Sequence, residues 1–282
     1  MDISGSVALV TGANGGIGRA FVAELLKRGA AKIYVAARDP ASPSDLLKGG
    51  DDRLVPLRLD VTDSAEVAAA ATAAPDVTLL VNNAGYAAFQ GAIAAPDISA
   101  ARREMDVNYF GPLALTRAFK PALAASGGGA VVNMLSMAAL VSLPVTGTYS
   151  ASKAAFLSVT RSIRAELAAQ GTIVVGVLAV QTETAIGARL PPPRMTPDEV
   201  ASDALDAVQA SKNEEVVAGS LTQGAYEAFT ADPKAFQGED VHEAAAAFLI
   251  SPRRSPGIVM RRTRIPIKDT RTPNVGASSC WA

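Results

Sequence analysis

A strand, a glycine-rich turn and a helix follow one another at the start of the chain, and this order restricts the fold more than any other feature. Residues 6–10 form a short apolar run that leads directly into the turn of residues 11–18. Apolar side chains then recur at helical spacing over residues 19–28. N–H groups at the start of such a helix attract phosphate groups. The pattern therefore predicts a nucleotide-binding unit, with a glycine-rich loop that holds no ligand as the alternative.

The glycines of this turn have separate predicted roles. Gly12 permits the tight turn, Gly16 allows a pyrophosphate to approach the backbone, and Gly18 allows the helix to pack closely. Asn14 and Ile17 lie between them and are predicted to contact the same ligand.

Strand-like and helix-like segments alternate through most of the chain. Apolar runs predict further strands at residues 32–37, 54–59, 77–81, 130–135, 172–178 and 215–218. Helices are predicted between them, including residues 99–108, 110–126, 149–170 and 197–211. Thr196-Pro-Asp-Glu199 resembles a capping box at the start of the last of these, with Pro at the first helical position. This alternation predicts an α/β fold in which a doubly wound, parallel Rossmann-type sheet binds ligands at the carboxyl ends of its strands.

The organisation changes towards the carboxyl terminus. Residues 1–232 are predicted to form a single dinucleotide-binding catalytic domain, and residues 182–196 are predicted to be a substrate loop within it. Residues 233–282 lack apolar periodicity at their end and are rich in basic residues, Pro and Ser. This irregular extension is expected to be partly disordered.

Residues at the strand ends predict which dinucleotide binds. An acid at the end of the second strand grips the ribose 2′-hydroxyl of NAD, whereas a basic residue accommodates the 2′-phosphate of NADP. Arg38 favours NADP(H), and Asp39 leaves NAD(H) possible. Asp60, followed by Val61, is placed to accept from the adenine amino group. The other role for an acid in this segment, capping the next helix, falls to Asp63.

A tyrosine and a lysine four residues apart supply the predicted chemistry. Tyr149 and Lys153 project from one face of a predicted helix, so the ammonium is expected to favour the phenolate and lower the Tyr149 pKa. Ser136 follows a buried strand, from which its hydroxyl can face the phenol across a cleft. The spacing alone is weak evidence, because a solvated lysine beside a packed tyrosine gives the same pattern.

Taken in order, these motifs resemble the short-chain dehydrogenase/reductase family, in its main, non-extended branch, over about residues 7–218. The resemblance is carried by the turn of residues 11–18, Asp60-Val61, Asn82-Asn-Ala-Gly85, Asn108, Ser136 and Tyr149-x-x-x-Lys153. It implies an oxidoreductase that transfers a hydride between NADP(H) and a carbonyl or secondary alcohol.

The same resemblance implies a role for each catalytic residue. Tyr149 is the general acid or base, and Lys153 lowers its pKa and binds the nicotinamide ribose. Ser136 polarises the substrate oxygen, and Asn108 positions a water-bearing proton relay. The residues of the segment 82–85 themselves predict a passage beside the cofactor: after Asn83, Ala84 and Gly85 are small enough to let the chain pass there, and the two asparagines are predicted to tie adjacent turns together.

The chain departs from the family pattern in two places that affect cofactor binding. The family commonly has Pro-Gly after the sixth strand, where this chain has Ala179 and Val180, so Thr184 is predicted to contact the carboxamide. Gly15 stands where many NADP-preferring members carry a basic residue. The preference for NADP therefore depends on Arg38.

Composition argues against several other classes of protein. A single cysteine, Cys280, excludes an internal disulfide, and a single histidine, His242, argues against a His/Cys metal site, so no metal is predicted. A net charge of −1 argues against a nucleic-acid partner. No apolar run approaches the ~18 residues that span a bilayer, and the first residues lack a signal-peptide pattern. A cytoplasmic protein with no membrane partner is predicted.

The substrate is predicted to be a small hydrophobic ketone or alcohol. The residues expected to line its pocket are mostly apolar: Met137, Ala138, Leu140, Val141, Leu143, Val145 and Tyr86. The resemblance implies a homo-oligomer, dimer or tetramer, with the long predicted helices of residues 110–126 and 149–170 as the candidate interface. Two alternatives remain open, namely a non-catalytic NADP(H)-binding regulator or sensor, and an epimerase or dehydratase with the same Tyr/Lys chemistry.

Overall fold

The computed structural model describes residues 1–42 and 44–237. Within them, seven parallel strands form one sheet in the order β3-β2-β1-β4-β5-β6-β7. The strands are β1 Val7–Thr11, β2 Lys32–Ala37, β3 Leu54–Arg58, β4 Leu79–Asn82, β5 Ala130–Met134, β6 Ile173–Leu178 and β7 Glu215–Val217. The predicted doubly wound parallel sheet is confirmed, and each predicted strand is present with ends shifted by at most two residues.

Helices cover both faces of the sheet. They are α1 Gly16–Lys27, α2 Ser44–Leu47, α3 Ser64–Ala73, α4 Ser99–Met105, α5 Gly111–Ala125, α6 Gly147–Leu167, α7 Pro197–Gln209, α8 Gly219–Ala231 and α9 Pro233–Phe236. Neighbouring strand residues point to opposite faces, so Val10 packs with α1 and α7 whereas Leu9 packs with α3, α5 and α6. Burial on both faces is why the strands are continuous apolar runs.

The strand order positions a cleft above β1. The chain runs from β1 outward to β3 and then returns to β4 on the other side of β1. At such a reversal the connections leave in opposite directions and open a crevice beyond the carboxyl ends of the strands.

Two predicted helix starts are present in detail. The Thr196 hydroxyl accepts from the Glu199 N–H at 3.2 Å, and the Glu199 carboxylate accepts from the Thr196 N–H at 2.9 Å. This reciprocal pair is the predicted capping box of α7. Asp63 accepts from the N–H groups of Ala65 and Glu66 and so caps α3.

Two helical segments differ from the prediction. The helices predicted on either side of Asn108 are one continuous helix, because a π-helical turn over Asp106–Phe110 joins α4 to α5. Helix α8 was not predicted, since Gly219 and Gly224 weaken its local helical pattern. Tertiary contacts stabilise α8 instead, for the structure buries its Thr222 and Ala225.

The start of the predicted extension packs on the preceding helix. The rings of Phe229 in α8 and Phe236 in α9 meet edge to face, with centroids 6.2 Å apart. Gln237 exchanges two hydrogen bonds, at 2.8 and 2.9 Å, with the backbone of Ser142. The rest of the extension, with His242 and Cys280, lies outside the described residues. In residues 1–42 and 44–237 no helix is long and apolar enough to cross a membrane.

Candidate active site

A cavity of about 1540 Å³ opens at the carboxyl ends of the strands. Its lining brings together every predicted cofactor-binding residue: Gly12, Asn14, Gly16, Ile17, Gly18, Arg38, Asp60, Val61, Asn83, Ala84, Gly85, Tyr149, Lys153 and Thr184. Ser136 also lines the cavity, whereas Asn108 lies behind its wall. Residues separated by up to 172 positions in the sequence thus share one site.

The glycine-rich turn leaves backbone N–H groups open to this cavity. Gly12 has a positive φ of 64°, which favours glycine and reverses the chain after β1. No side chain caps the start of α1, where Gly15 is the N-cap residue. A Cβ on Gly16 would lie 2.8 Å from the Thr184 side chain, so the turn and the predicted substrate loop approach each other closely. The bare helix start fits a dinucleotide pyrophosphate.

Replacing Gly18 with alanine is expected to lower the free energy of unfolding by about 3 kcal/mol or more. A Cβ there would lie 2.3 Å from the Gly12 carbonyl oxygen and 2.8 Å from the Ala13 Cα, and backbone cannot move aside as a side chain can. Urea denaturation measures the change. Gly15→Ala is the matched control, because its Cβ would be 3.4 Å from the Gly12 oxygen. Equal destabilisation of both variants would contradict the packing argument.

Thr11 ties the end of β1 to the end of β4. Its hydroxyl donates to the Val81 carbonyl at 3.2 Å and accepts from the N–H groups of Asn83 and Ala84 at 2.9 and 3.0 Å. The Asn83 amide donates back to the Thr11 carbonyl at 2.9 Å. The asparagine was predicted to tie adjacent turns, whereas the role of Thr11 was not predicted.

Charged groups gather at the end of the cavity nearest β2. Arg38 and Asp60 both line this end, and the Asp60 carboxylate accepts from the Thr62 N–H and hydroxyl at 2.9 and 2.7 Å. Burial acts to raise the Asp60 pKa, but these bonds and the charges of Arg38 and Arg103 lower it overall. Arg103, which sequence reasoning missed, stands over the Tyr86 ring at 5.1 Å.

Ser136, Tyr149 and Lys153 meet at the other end. Ser136 follows β5 in extended conformation, and its hydroxyl accepts from the Ala138 N–H at 3.1 Å. Tyr149 lies in the first turn of α6, and Lys153 lies one turn later with its Nζ 5.8 Å from the Tyr149 ring centroid. The Lys153 ammonium donates to the Met134 carbonyl at 2.7 Å. The carboxyl end of β5 and the first turns of α6 therefore bring the three groups together.

The pKa values of this cluster differ from the prediction. Burial raises the pKa of Tyr149 to about 12, although the Ser136 hydroxyl opposes this and the Glu104 carboxylate adds to it. Burial also lowers the pKa of Lys153 to about 8. The net shift of the Tyr149 pKa is thus opposite to the predicted one, because burial disfavours the phenolate, while the lowering effect of the Lys153 ammonium on the phenol stays a prediction.

Asn108 lies at the π-helical turn between α4 and α5. Its amide donates to the Tyr86 carbonyl at 2.8 Å and to the Ser152 hydroxyl at 2.9 Å, and its oxygen accepts from the Tyr86 N–H at 2.9 Å. The Asn108 side chain is buried, and each of these three contacts is with a protein group. It therefore fixes the wall at Tyr86 to α6, while its part in a proton relay stays a prediction.

The predicted apolar pocket is present with two corrections. Tyr86, Met137, Ala138, Val141 and Leu143 line the cavity as predicted. Leu140 packs instead in a core cluster with α6, and Val145 is exposed at 43%. Ile186 and Leu190 line the cavity from the predicted loop of residues 182–196. Lining residues that sequence reasoning missed include Phe89, Gln90, Ala225, Ala228 and Phe236. The missed residues come from separate segments with no shared local pattern, so no signal in the sequence groups them.

The fold and the cavity together define a Rossmann-type dinucleotide-binding protein. Comparison with known proteins then gives the family. The model of the family described as short chain dehydrogenase matches residues 6–194, which is more than half of the chain. The chain therefore belongs to the short-chain dehydrogenase family, whose matching members are named dehydrogenases and reductases.

Three relatives show how close the similarity is. Short chain dehydrogenase pigC of Monascus ruber is 33% identical over 188 residues, which cover 62% of this chain and 62% of that protein. The chain thus spans less than two thirds of the length of this relative. A short chain dehydrogenase from Burkholderia cenocepacia J2315, solved in complex with NADP, is 41% identical, with a TM-score of 0.77. That match covers 89% of this chain and all of that one.

The third relative was solved with a different dinucleotide. It is the 3-ketoacyl-(acyl-carrier-protein) reductase from Brucella melitensis, complexed with NADH. It is 27% identical and has a TM-score of 0.70, over 76% of this chain and 97% of that one. Nicotinamide dinucleotides of both kinds therefore occur among the structural relatives.

Proposed function

We propose that this protein is an NADP(H)-preferring oxidoreductase that interconverts a hydrophobic ketone and the corresponding secondary alcohol. The convergence of Ser136, Tyr149 and Lys153 at one end of the cavity carries the proposal, since the glycine-rich turn and Arg38 line the same cavity. The apolar residues around the reactive end favour a hydrophobic substrate. A cytoplasmic location and a homo-oligomer formed through α5 and α6 are parts of the proposal that rest on the sequence.

The residues divide the chemistry between them. Bound NADP(H) supplies or takes up the hydride at the carbonyl carbon. Tyr149 transfers the proton at the substrate oxygen, and the Ser136 hydroxyl donates a hydrogen bond to that oxygen. Lys153 places positive charge next to the phenol and hydrogen-bonds the ribose hydroxyls. Asn108 keeps Tyr86 and α6 in register behind them.

The binding roles follow the shape of the cavity. The N–H groups at the start of α1 would hold the pyrophosphate, and residues 83–85, which line the same cavity, would contact the nucleotide. Thr184, next to Gly16, would contact the carboxamide. Asp60 and Val61 would contact the adenine, and Arg38 in the same cavity would supply the charge for a 2′-phosphate. The structural relative solved with NADP supports the same preference.

Replacing Arg38 with alanine is expected to weaken NADPH binding by about 10- to 100-fold, the value of a charge-assisted hydrogen bond. NADH lacks the 2′-phosphate, so its affinity should change by less than about threefold. Fluorescence titration with each dinucleotide measures both constants. Arg117→Ala, on the exposed face of α5, is the matched control. An equal loss of affinity for NADPH and NADH would refute the phosphate contact.

The reaction itself is tested with an unbiased panel of ketones and alcohols. We expect NADPH to be oxidised only when a ketone is present, with one molecule of alcohol formed for each NADPH consumed. NADPH binding without turnover of any ketone or alcohol would favour the regulator or sensor. Conversion of a substrate with no net redox change would favour the epimerase or dehydratase.

A further inference from the structure

Glu104 is a buried acid that the proposed reaction does not use. It lies in α4 one turn before Asn108 and is 0% exposed. One carboxylate oxygen, Oε1, accepts from the Ala88 N–H at 2.9 Å. The other, Oε2, has no hydrogen-bond partner in the part of the chain that the structure describes. A buried polar atom left in this way is costly, and such exceptions in native proteins call for a reason.

A residue of the substrate loop holds the other backbone group of Ala88. Its carbonyl accepts from the Arg189 guanidinium at 3.3 Å, and the same guanidinium stacks over the Phe89 ring at 4.7 Å. Glu104 therefore holds the N–H of Ala88, in the peptide unit between residues 87 and 88, and Arg189 holds the carbonyl of Ala88, in the peptide unit between residues 88 and 89. Residue 88 is the point where α4 and the substrate loop both act on the cavity wall.

The conformation of the wall requires such support. Phe89 has a φ of 55°, in the left-handed region that a bulky residue adopts only when its surroundings impose it. Phe89 and Gln90 both line the cavity, so their positions shape the substrate space. Asn108 holds Tyr86 by both backbone groups. Asn108 and Glu104 lie one turn apart on the continuous helix of α4 and α5 and hold residues 86 and 88. Residues 86–90 thus form a wall that these two side chains anchor.

We propose that Glu104 is a positioning residue that anchors the wall of residues 86–90 through Ala88 and so shapes the substrate space. The effect on the substrate rests on the proposed function, whereas the anchor itself does not. A glutamine would anchor Ala88 equally well through its amide oxygen, so the glutamine variant is the matched control for loss of the acceptor.

Glu104→Gln keeps the acceptor and removes the charge, whereas Glu104→Met removes both. Hydrogen exchange read by mass spectrometry reports on the anchor without any need for turnover. In Glu104→Met, the amide of Ala88 should exchange at least about tenfold faster, and in Glu104→Gln it should stay within about threefold of the wild type. KM for the ketone should rise about fivefold or more in the methionine variant and change by less than about twofold in the glutamine variant.

The outcomes separate this inference from the proposed function. Wild-type exchange at residues 86–90 in Glu104→Met would overturn the anchor, whether or not the protein turns over a ketone. Exchange at Ala88 in Glu104→Gln as fast as in Glu104→Met would overturn the role of the acceptor oxygen. If the methionine variant does not fold, the wild-type protein still tests the anchor, because an Ala88 amide that exchanges there as fast as an unprotected amide would overturn it. A wild-type protein without turnover would sink the proposed function while the exchange experiment stands.

Discussion

Replacing Tyr149 with phenylalanine should lower kcat/KM for ketone reduction by about 10²- to 10⁴-fold, the contribution of a positioned general acid. The substitution removes the hydroxyl alone. The ring that lies 5.8 Å from the Lys153 ammonium is kept, and so are the glycine-rich turn and the strand ends that hold the dinucleotide. NADPH affinity should therefore stay within about threefold of the wild type. Steady-state rates and equilibrium fluorescence titration measure the two quantities.

A second tyrosine provides the control for this prediction. Tyr109 lies in the π-helical turn, where its ring packs edge to face on Phe110 at 4.8 Å. Tyr109→Phe should keep the wild-type rate and affinity. Retention of most activity in Tyr149→Phe would remove the proposed acid. A large loss of NADPH affinity would instead mean that the hydroxyl serves binding.

Replacing Lys153 with methionine is expected to abolish useful turnover while stabilising the fold at neutral pH. Activity should fall by about 10²-fold or more, because the phenol loses its adjacent positive charge. Stability should rise, since Lys153 is 5% exposed and burial lowers its pKa to about 8. Lowering the Lys153 pKa from 10.5 to about 8 corresponds to a cost on the order of 3 kcal/mol for burying the charge. Losing the hydrogen bond to the Met134 carbonyl reduces the gain in stability by about 1 kcal/mol.

The gain in stability on replacing Lys153 with methionine depends on pH, and its direction follows from the two pKa values. The unfolded lysine titrates near its ordinary value of 10.5 and the folded one near 8, so between these values the unfolded chain binds more protons. Wild-type stability therefore rises with pH through this window, and the full cost of the buried charge is present below it. The advantage of Lys153→Met should be largest below about pH 8 and shrink towards pH 10.

Urea denaturation at a series of pH values measures the difference between the two proteins. Comparing the pair cancels the titration of the groups they share. A methionine variant that is less stable than the wild type at pH 7, or an advantage that does not change with pH, would show that the Lys153 charge is not destabilising. Such a buried, costly lysine is expected where stability is traded for a functional site.

The sequence by itself determined the parts of this protein that depend on short-range patterns. The strand, glycine turn and helix at residues 6–28 and the later alternation of elements specify a parallel sheet, because apolar periodicity and turn chemistry act within a few residues. The capping box at Thr196 and the cap at Asp63 were predictable for the same reason. The residues of the predicted cofactor site also converge, since the carboxyl ends of parallel strands share one edge.

Only the tertiary structure decided what depends on burial and on distant segments. The Tyr149 pKa rises rather than falls because the whole fold desolvates the phenol, an effect that four-residue spacing does not reveal. Leu140 and Val145 do not line the cavity, whereas α8, which was not predicted, contributes Ala225 to its lining. Glu104 looks like any helical acid in the sequence, yet folding buries it behind the wall at Ala88. Local patterns fix which elements form, whereas dielectric environment and partners exist only once those elements pack together.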